Sequence, residues 1–140
     1  MTRDEQLKVA YAHAAAETDM DLEGTLATLD PDPVYELQPL GVEVRGMAGA
    51  RAYYEHFFAN FMPLIEGFQL RDEWVNDHGL AQEYVMQVRD PATGAVSDEP
   101  IIGILVFGTE GLAGERLYGS ESLFQRMFGP VLAQAVPVGS

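Results

Sequence analysis

Four polar residues near the C-terminal end of the chain have the types and spacing needed for acid–base chemistry. Arg116, Tyr118 and Ser120 alternate along a stretch typical of a strand, and Glu121 follows directly. Because side chains two residues apart on a strand point to the same side, the first three share one face. A guanidinium and a phenol can donate hydrogen bonds to a ligand oxygen, and a carboxylate can accept a proton. We therefore expect Arg116, Tyr118 and Glu121 to be catalytic and Ser120 to contact the ligand.

Other interpretations of the same stretch stay open. Arg116 could pair with a carboxylate at the rim of the domain, in which case it would take no part in chemistry. Ser122 lies three residues before Gln125, the spacing of a capping box, so we predict that it begins a helix. Glu83, on another predicted strand, is an alternative to Glu121 as proton acceptor.

Aromatic side chains supply the apolar walls of the expected pocket. Trp74 and Tyr84 fall on neighbouring predicted strands, beside Leu70 and Met86. An aromatic ring on the inner face of a sheet either lines a cavity or packs in the core. The residues that we expect to contact the ligand are Tyr35, Tyr54, Phe57, Trp74, Tyr84 and Ser120.

The chain contains no recognisable motif for binding a metal ion or a cofactor. There is no cysteine, which excludes thiolate ligands, disulfides and cysteine nucleophiles. His13, His56 and His78 do not have the spacing of metal ligands. Neither a glycine-rich phosphate loop nor a nucleophile elbow is present. We expect a protein that works without a metal and without a cofactor.

The charge balance argues against two classes of partner. The chain has 8 Lys+Arg against 22 Asp+Glu, a formal net charge of −14. Such a surface repels nucleic-acid phosphates and anionic lipid, so we expect neither nucleic acid nor membrane as a partner. No apolar run approaches the ~20 residues of a membrane span, and the first residues are too polar for a secretory signal. A cytoplasmic location is the expectation.

Periodicity predicts helices first and strands afterwards. Three helices are predicted over 4–17, about 21–29 and 48–62, the last with a broad aromatic stripe. Strands are predicted over 34–38, 42–45, 68–76, 80–89, 101–107 and 116–119. Pro39 favours an edge position for the first strand, because proline cannot donate to the ladder.

This order of elements predicts one α+β domain over residues 1–130, with a loosely ordered tail at 131–140. A curved antiparallel sheet would wrap around three helices, forming a cone that is open at one end for a ligand. The strand at 101–107 is apolar on both faces, so its outer face is expected to meet a second copy in a homodimer.

Three stretches carry a resemblance to a known group of proteins: 21–29 followed by Asp32, 49–54 with Phe57 and Phe61, and 114–118 continuing to Leu123. They resemble the nuclear transport factor 2-like superfamily, in its SnoaL-like and ketosteroid isomerase-like branch. That resemblance implies a cystatin-like α+β barrel. It also implies a small apolar ligand, polyketide- or terpenoid-like, and cofactor-independent chemistry, although members of this superfamily differ in function.

The catalytic residues of these relatives are only partly matched. The base of the steroid isomerases falls near Leu37 or Gln38, and their oxyanion-binding aspartic acid falls near Gly103. Neither Leu37 nor Gly103 can exchange a proton. Their oxyanion-binding tyrosine on the first helix falls near Tyr11 or His13, so at most one of the three roles is matched. The aspartate of SnoaL-like cyclases falls at Ser120. Epoxide hydrolases of this fold use an Asp–Arg–Asp group, for which Arg116 is the candidate arginine. We predict an acid–base enzyme of cyclase, isomerase or epoxide hydrolase type, and the alternative is a noncatalytic ligand-binding or dimerisation domain.

Overall fold

The computed structural model describes residues 1–140 as four α-helices and one seven-stranded sheet. The helices are α1 (Arg3–Thr18), α2 (Leu22–Ala27), α3 (Gly46–His56) and α4 (Glu121–Phe128). The strands are β1 (Leu29–Gln38), β2 (Val42–Arg45), β3 (Ile65–Val75), β4 (Gly79–Arg89), β5 (Val96–Phe107), β6 (Leu112–Tyr118) and β7 (Val136–Pro137). A π-helical turn (Phe57–Phe61) and a 3-10 turn (Met62–Leu64) lead from α3 to β3, and a second 3-10 turn (Gly129–Gln134) precedes β7. None of the helices is both long and apolar enough to cross a membrane.

The sheet is curved and unclosed, with the strand order β3-β4-β5-β6-β1-β2-β7. This confirms the predicted α+β class, and α4 is the helix predicted to begin at Ser122, in addition to the three that the sheet was expected to wrap around. Neighbouring strands are antiparallel except β1 and β6, which are parallel. The edge position predicted for β1 is wrong, because β1 lies between β6 and β2. Pro39 follows the last residue of the strand, so its missing N–H falls outside the ladder.

Short polar side chains begin three of the helices. The Thr2 hydroxyl accepts a hydrogen bond from the Glu5 amide, and the Glu5 carboxylate accepts one from the Thr2 amide, which completes a capping box for α1. Asp21 caps α2. The cap of α4 is Ser120, whose hydroxyl accepts from the Leu123 amide. The prediction that Ser122 begins this helix is therefore wrong by two residues.

The core lies between the concave face of the sheet and the helices, and aromatic rings dominate it. Tyr53 of α3 stacks on Phe128 of α4 with 4.0 Å between ring centroids, and Phe124 is fully buried beside them. Burying each large apolar side chain contributes about 1.5–3 kcal/mol. The aromatic stripe predicted on the third helix is thus the surface that joins α3 to α4 and to the sheet.

A β-bulge in β3 changes which side chains of that strand face the core. Leu70 pairs with Tyr84 and Asp72 pairs with Glu83, so β3 has one extra residue between the two pairs. An extra residue reverses the alternation of the residues that follow it. Leu70 faces inward, whereas Trp74 lies on the outer face of the sheet with 54% of its surface exposed.

A glycine sets the same kind of irregularity in β6. Gly114 has φ +133°, and a Cβ at this position would lie 1.9 Å from the carbonyl oxygen of Val34. The register between β5 and β6 shifts just before it. Only glycine permits this close approach of β6 to β1. Beyond it the strand alternates regularly, with Glu115 and Leu117 inward and Arg116 outward.

The C-terminal residues pack against the domain, unlike the loosely ordered tail expected for 131–140. Val131 is buried, and Leu132 packs against the core. β7 pairs antiparallel with β2, and the amide of Val138 donates to the carbonyl oxygen of Gly41.

The turn between β5 and β6 is held by the carboxylate of Asp30. Its two oxygens accept hydrogen bonds from the backbone amides of Thr109 at 2.8 Å, Glu110 at 3.1 Å and Gly111 at 2.7 Å. Partial burial opposes ionisation of Asp30, but these three donors outweigh it and lower the pKa of the carboxyl.

Asp30→Asn should therefore destabilise the domain, by about 1–3 kcal/mol, because amide hydrogens would face backbone donors. The loss should be largest above the ordinary pKa of aspartic acid. It should shrink as the pH falls from there through the lowered pKa of the native carboxyl, because the unfolded chain takes up this proton first. Urea unfolding at neutral and acidic pH measures both effects. Asp32→Asn is the matched control, because Asp32 is exposed and makes no side-chain hydrogen bond; equal losses in the two variants would contradict the prediction.

Candidate active site

A cavity of about 340 Å³ lies between α1, the π-helical turn and the concave face of β3–β6. Its walls are mostly apolar, and Gly103 of β5 opens space where a side chain would otherwise stand. A cavity of this size with a few convergent polar groups is typical of small-molecule sites. The apolar side chains that line it are Phe57, Met62, Ile65, Phe68, Leu70, Tyr84, Met86 and Leu105.

The mouth of the cavity lies between α1 and the edge strand β3. Phe68 and Leu70 line the cavity yet are 58% and 45% exposed, so they mark its opening. Tyr11 of α1 donates a 2.7 Å hydrogen bond to the Glu73 carboxylate of β3. This bond joins the two elements across the opening.

Inside the cavity, His13, Glu17 and Glu115 meet around the hydroxyl of Tyr54. The Tyr54 oxygen lies 2.8 Å from Glu17 Oε1, 3.1 Å from His13 Nε2 and 3.3 Å from Glu115 Oε2. His13 Nε2 is also 3.0 Å from Glu17 Oε1. His13, Tyr54 and Glu115 are buried, whereas the Glu17 side chain is 28% exposed. We call these four residues the carboxyl cluster.

The protonation of His13 follows from its partner on the other side of the ring. His13 Nδ1 lies 2.7 Å from the Thr28 hydroxyl, and that hydroxyl donates to the carbonyl oxygen of Thr25 at 2.6 Å. Because the hydroxyl has only one hydrogen, it must accept from His13 Nδ1–H. The ring nitrogen that exchanges its proton is therefore Nε2, which faces Glu17 and Tyr54.

Each member of the carboxyl cluster is positioned by a regular element. His13 and Glu17 are four residues apart on α1, so they lie on the same side of the helix, and buried Ala10 continues that side toward the N-terminus. Glu115 shares the inward face of β6 with Leu117. Tyr35 of β1 stands opposite Glu115 in the parallel ladder, and its hydroxyl lies 2.7 Å from that of Tyr54.

Burial governs the protonation of Glu115. Desolvation, reinforced by the negative charge of Glu17, raises the pKa of Glu115 to about 8, against the opposing influence of His13 and the Tyr54 hydrogen bond. Glu115 is therefore a neutral carboxylic acid at pH 7 and can donate a proton. A carboxyl group kept protonated in this way is a recognised feature of acid–base active sites.

His13 is shifted toward its charged form. Burial by itself lowers the pKa of His13, but the Glu17 carboxylate, with Glu115 behind it, outweighs burial and raises the pKa above its usual value. Desolvation also raises the pKa values of Tyr35, Tyr54 and Tyr84, so these phenols stay neutral hydrogen-bond donors. The cluster thus combines a close His13–Glu17 contact, at 3.0 Å, with a Glu115 carboxyl group whose pKa is raised to about 8.

The same residues are the only group with the composition of a metal site. One ligand atom each from His13, Glu17 and Glu115 lies within 4.8 Å of the others. Every buried polar side-chain atom has a hydrogen-bond partner within the protein. The cluster is thus complete as a hydrogen-bonded network within the protein. The expectation that the protein works without a metal or a cofactor stays a prediction.

Two of the residues expected to be catalytic point away from this cavity. Arg116 and Tyr118 lie on the outer face of β6, Tyr118 with 44% of its surface exposed. The expectation that they face the cavity is wrong, because the inward positions of the strand are taken by Glu115 and Leu117. Arg116 instead borders an outer groove with Trp74 and Ile104.

The other residues expected around Arg116 are also outside the cavity. Ser120 caps α4 with its hydroxyl, and Glu121 is exposed in the first turn of that helix. Glu83, the alternative proton acceptor, faces outward from β4 beside Tyr118. The structure therefore does not bring these residues together around a ligand inside the domain.

The five aromatic residues expected to contact the ligand fall into three groups. Phe57 and Tyr84 line the cavity, and Tyr54 and Tyr35 lie behind its polar end. Trp74 is on the outer face, because the bulge in β3 reverses its direction. The structure thus places two of the five aromatics in the wall of the cavity, two behind that wall and one outside.

Sequence reasoning missed Glu115 and left His13 undecided. One signal was available: Leu117 is the apolar residue between two polar ones, so the face that it shares with Glu115 belongs to the core. Because Arg116 and Tyr118 were expected to act on a ligand, the opposite face of the strand was assigned to the pocket instead. No local pattern indicated that α1 and β6 meet.

The fold and this cavity define a class of protein, and the chain belongs to the SnoaL-like domain family, whose model matches residues 10–113. The predicted superfamily is therefore confirmed. No functionally curated protein matches the chain in sequence.

Three solved structures illustrate the likeness in fold. A polyketide cyclase, provisionally so assigned, from Xanthomonas campestris is 18% identical, with 89% of this chain and 98% of that one covered and a TM-score of 0.66. A protein of ketosteroid isomerase-like fold from Catenulispora acidiphila, in complex with trimethylamine, is 16% identical over 88% and 94%, with a TM-score of 0.64. An NTF-2 like protein of unknown function from Burkholderia xenovorans is 18% identical over 84% of each chain, with a TM-score of 0.62.

The raised pKa of Glu115 can be measured directly. The side-chain carboxyl of Glu115 should titrate with a midpoint near 8, as the pKa raised to about 8 requires, in a pH series of carboxyl-detected NMR spectra. Glu115→Gln should remove that titration and should make the stability of the domain depend less on pH between the ordinary pKa of 4.5 and about 8. The reason is that the native state holds this proton more tightly than the unfolded chain, so stability falls as the pH rises toward 8. A Glu115 carboxyl that titrates near the ordinary value for glutamic acid would contradict this prediction.

Proposed function

We propose that this protein is an acid–base enzyme that transfers protons on a small, largely apolar molecule bound in the cavity, with Glu115 as the proton donor. The observation that carries the proposal is a buried carboxyl group, with its pKa raised to about 8, beside the His13–Glu17 contact at the polar end of an apolar cavity. Membership of the SnoaL-like family supports it, as does the likeness to a structure assigned as a polyketide cyclase. The trimethylamine held by another similar structure supports a small-molecule ligand.

The carboxyl cluster suits a proton transfer in two linked parts. The O–H bond of Glu115 breaks while its proton bonds to a polar atom of the ligand, and the Glu17 carboxylate takes a proton from a neighbouring ligand carbon. Tyr54 contacts both carboxyl groups and can return the proton from Glu17 to Glu115, which restores the starting state. The His13 imidazolium balances the charge of whichever carboxyl group is ionised at each stage.

Among the expected reaction types, isomerisation and cyclisation fit this arrangement best. Both need a proton donor and a proton acceptor a few ångströms apart in a cavity that excludes water. The epoxide hydrolase type, as the family resemblance implies it, needs an arginine between two carboxylates. Arg116 lies on the outer face, and no arginine lines the cavity.

A noncatalytic ligand-binding domain is the second candidate. It is favoured by one feature: the polar groups of the carboxyl cluster already satisfy one another, so the surface left for a ligand is mainly apolar. In that case the cluster would hold the cavity open and would exchange no proton with the ligand.

Hydrogen–deuterium exchange separates the two candidates without knowledge of the natural substrate. Small cyclic ketones and amino ketones in D₂O would be followed by NMR for deuterium entering the carbon next to the carbonyl. We expect the protein to accelerate exchange in at least one of them, and Glu115→Gln to lower that rate by about 100-fold or more. Tyr54→Phe should lower it as well, because the relay between Glu17 and Glu115 is lost.

Glu55→Gln is the matched control, since Glu55 follows Tyr54 on α3 but is exposed. Probes that bind in the cavity but exchange at the uncatalysed rate throughout the set would contradict the enzyme and favour the binding domain.

We further propose that the outer face of the sheet forms a homodimer. Trp74, Ile102 and Tyr118 are exposed there by 54%, 38% and 44%, an unusual amount of large apolar surface on one face. A second copy of the same face is the occupant that would cover it symmetrically. The cytoplasmic location stays a prediction.

Sedimentation velocity should show a dimer at micromolar concentration and a monomer for Ile102→Glu, because a buried unpaired charge would oppose association. Val138→Glu, which adds the same charge to an exposed apolar residue of the C-terminal tail, should leave the dimer intact. A monomeric wild-type protein would remove the proposal.

A further inference from the structure

Most of the ionisable side chains that line the cavity, tyrosine apart, are acidic. Glu17 and Glu115 are its only acidic residues, and His13 is its only basic one. None of the lysines and arginines lines it. Five of the arginines instead pair with carboxylates elsewhere: Arg3 with Asp77, Arg45 with Glu43, Arg51 with Glu23, Arg89 with Glu66 and Arg126 with Glu99.

We propose that the ligand of this cavity carries a basic nitrogen, which binds in its protonated form between Glu115 and Glu17 while the apolar body of the ligand fills the aromatic part of the cavity. The inference rests on the proposed function only in taking the cavity as the ligand site. It adds the chemical class of the ligand, a small amine.

The geometry suits an ammonium group. A carboxylate oxygen of Glu17 and one of Glu115 lie within 4.8 Å of each other, and the Tyr54 hydroxyl bridges the two groups from behind the cavity. One nitrogen on the side of the pair that lines the cavity can donate to both at the usual distance of about 2.7–2.9 Å for such bonds. Phe57, Phe68 and Tyr84 stand around the same space. Aromatic faces attract alkylammonium groups, and this attraction grows when water is excluded.

The groups around Glu115 would leave its negative charge unbalanced if it lost its proton. Glu17 and His13 face it from α1, Tyr54 from α3, and Tyr35 and Tyr84 from the sheet. The histidine is already paired with Glu17, and the three tyrosines are neutral. No group of the protein can balance a second carboxylate, so the proton stays on Glu115 until a cation arrives.

Binding of a protonated amine would then displace that proton. The protonated amine gives up one proton to the solvent as it enters the cavity. The O–H bond of Glu115 then breaks and its proton bonds to the amine nitrogen, which is the donor role of the proposed function. An N–H of the ammonium group that forms donates to the carboxylate that remains. An anionic ligand would meet the opposite situation, because its charge would be desolvated beside Glu17 with no free cation to balance it. The net charge of −14 also raises the local concentration of cations around the protein.

Three probes with one carbon skeleton test the proposal: cyclohexylmethylamine, cyclohexylmethanol and cyclohexanecarboxylate. Isothermal titration calorimetry at pH 7 should show the amine binding about tenfold or more tighter than the alcohol, the ratio that one charge-assisted hydrogen bond provides, and the carboxylate weakest. Titrations in buffers of different ionisation enthalpy should show release of about one proton with the amine and none with the alcohol.

Variants locate the effect within the cavity. Glu115→Gln should abolish the proton release and reduce the preference for the amine while the alcohol still binds. Glu55→Gln should change neither, because that carboxylate is exposed on the other side of α3. Ala14→Leu, which fills the cavity from α1, should weaken the binding of the amine and the alcohol alike.

The outcomes separate the two proposals. An alcohol or a carboxylate that binds as tightly as the amine would overturn the inference about the ligand and leave the acid–base enzyme standing. Amine binding that is unchanged in Ala14→Leu would also overturn it, because the amine would then bind at the surface of the protein and not in the cavity. Failure of all three probes to bind would count against both the ligand class and the proposed function of the cavity.

Discussion

A carboxyl group buried beside a second carboxylate is the constraint on which the centre of this domain depends. Glu115 lies in an apolar cavity next to Glu17, and it is accommodated there because it keeps its proton and because the Tyr54 hydroxyl bonds to one of its oxygens. An unpaired polar atom in this place would cost about 1–3 kcal/mol. The contributing residues come from α1, α3 and β6, so the same contacts that hold these elements together also maintain a transferable proton.

The sequence predicted the architecture well, because architecture follows from repeated patterns. Alternation over β4 and β5, the aromatic stripe of α3 and the proline-rich breaks each involve many residues that agree with one another. The direction of a single strand depends on fewer. In β6, Leu117 indicates that one face of the strand belongs to the core, whereas Arg116 and Tyr118 are on the other face. The prediction gave more weight to the possible catalytic roles of Arg116 and Tyr118, so it assigned the wrong face to the pocket.

The carboxyl cluster itself was beyond local patterns. His13 and Glu115 lie near opposite ends of the chain, and they meet because β1 and β6 pair in parallel, which places Tyr35 opposite Glu115. Periodicity reports which residues share a face but not which strands become neighbours. The close approach at Gly114 is equally invisible in a sequence, where a glycine between alanine and glutamate looks like an ordinary turn residue.

The extra residue in β3 has a practical consequence for spectroscopy. It turns Trp74, the one indole of the chain, toward the convex side of the sheet, while the phenols of Tyr35, Tyr54 and Tyr84 gather around the hollow interior. Emission excited at the red edge of the indole band therefore reports on what covers the convex side. Ultraviolet difference absorption of the phenols adds a signal from the interior, and in a Tyr118→Phe variant the convex side would no longer contribute to it.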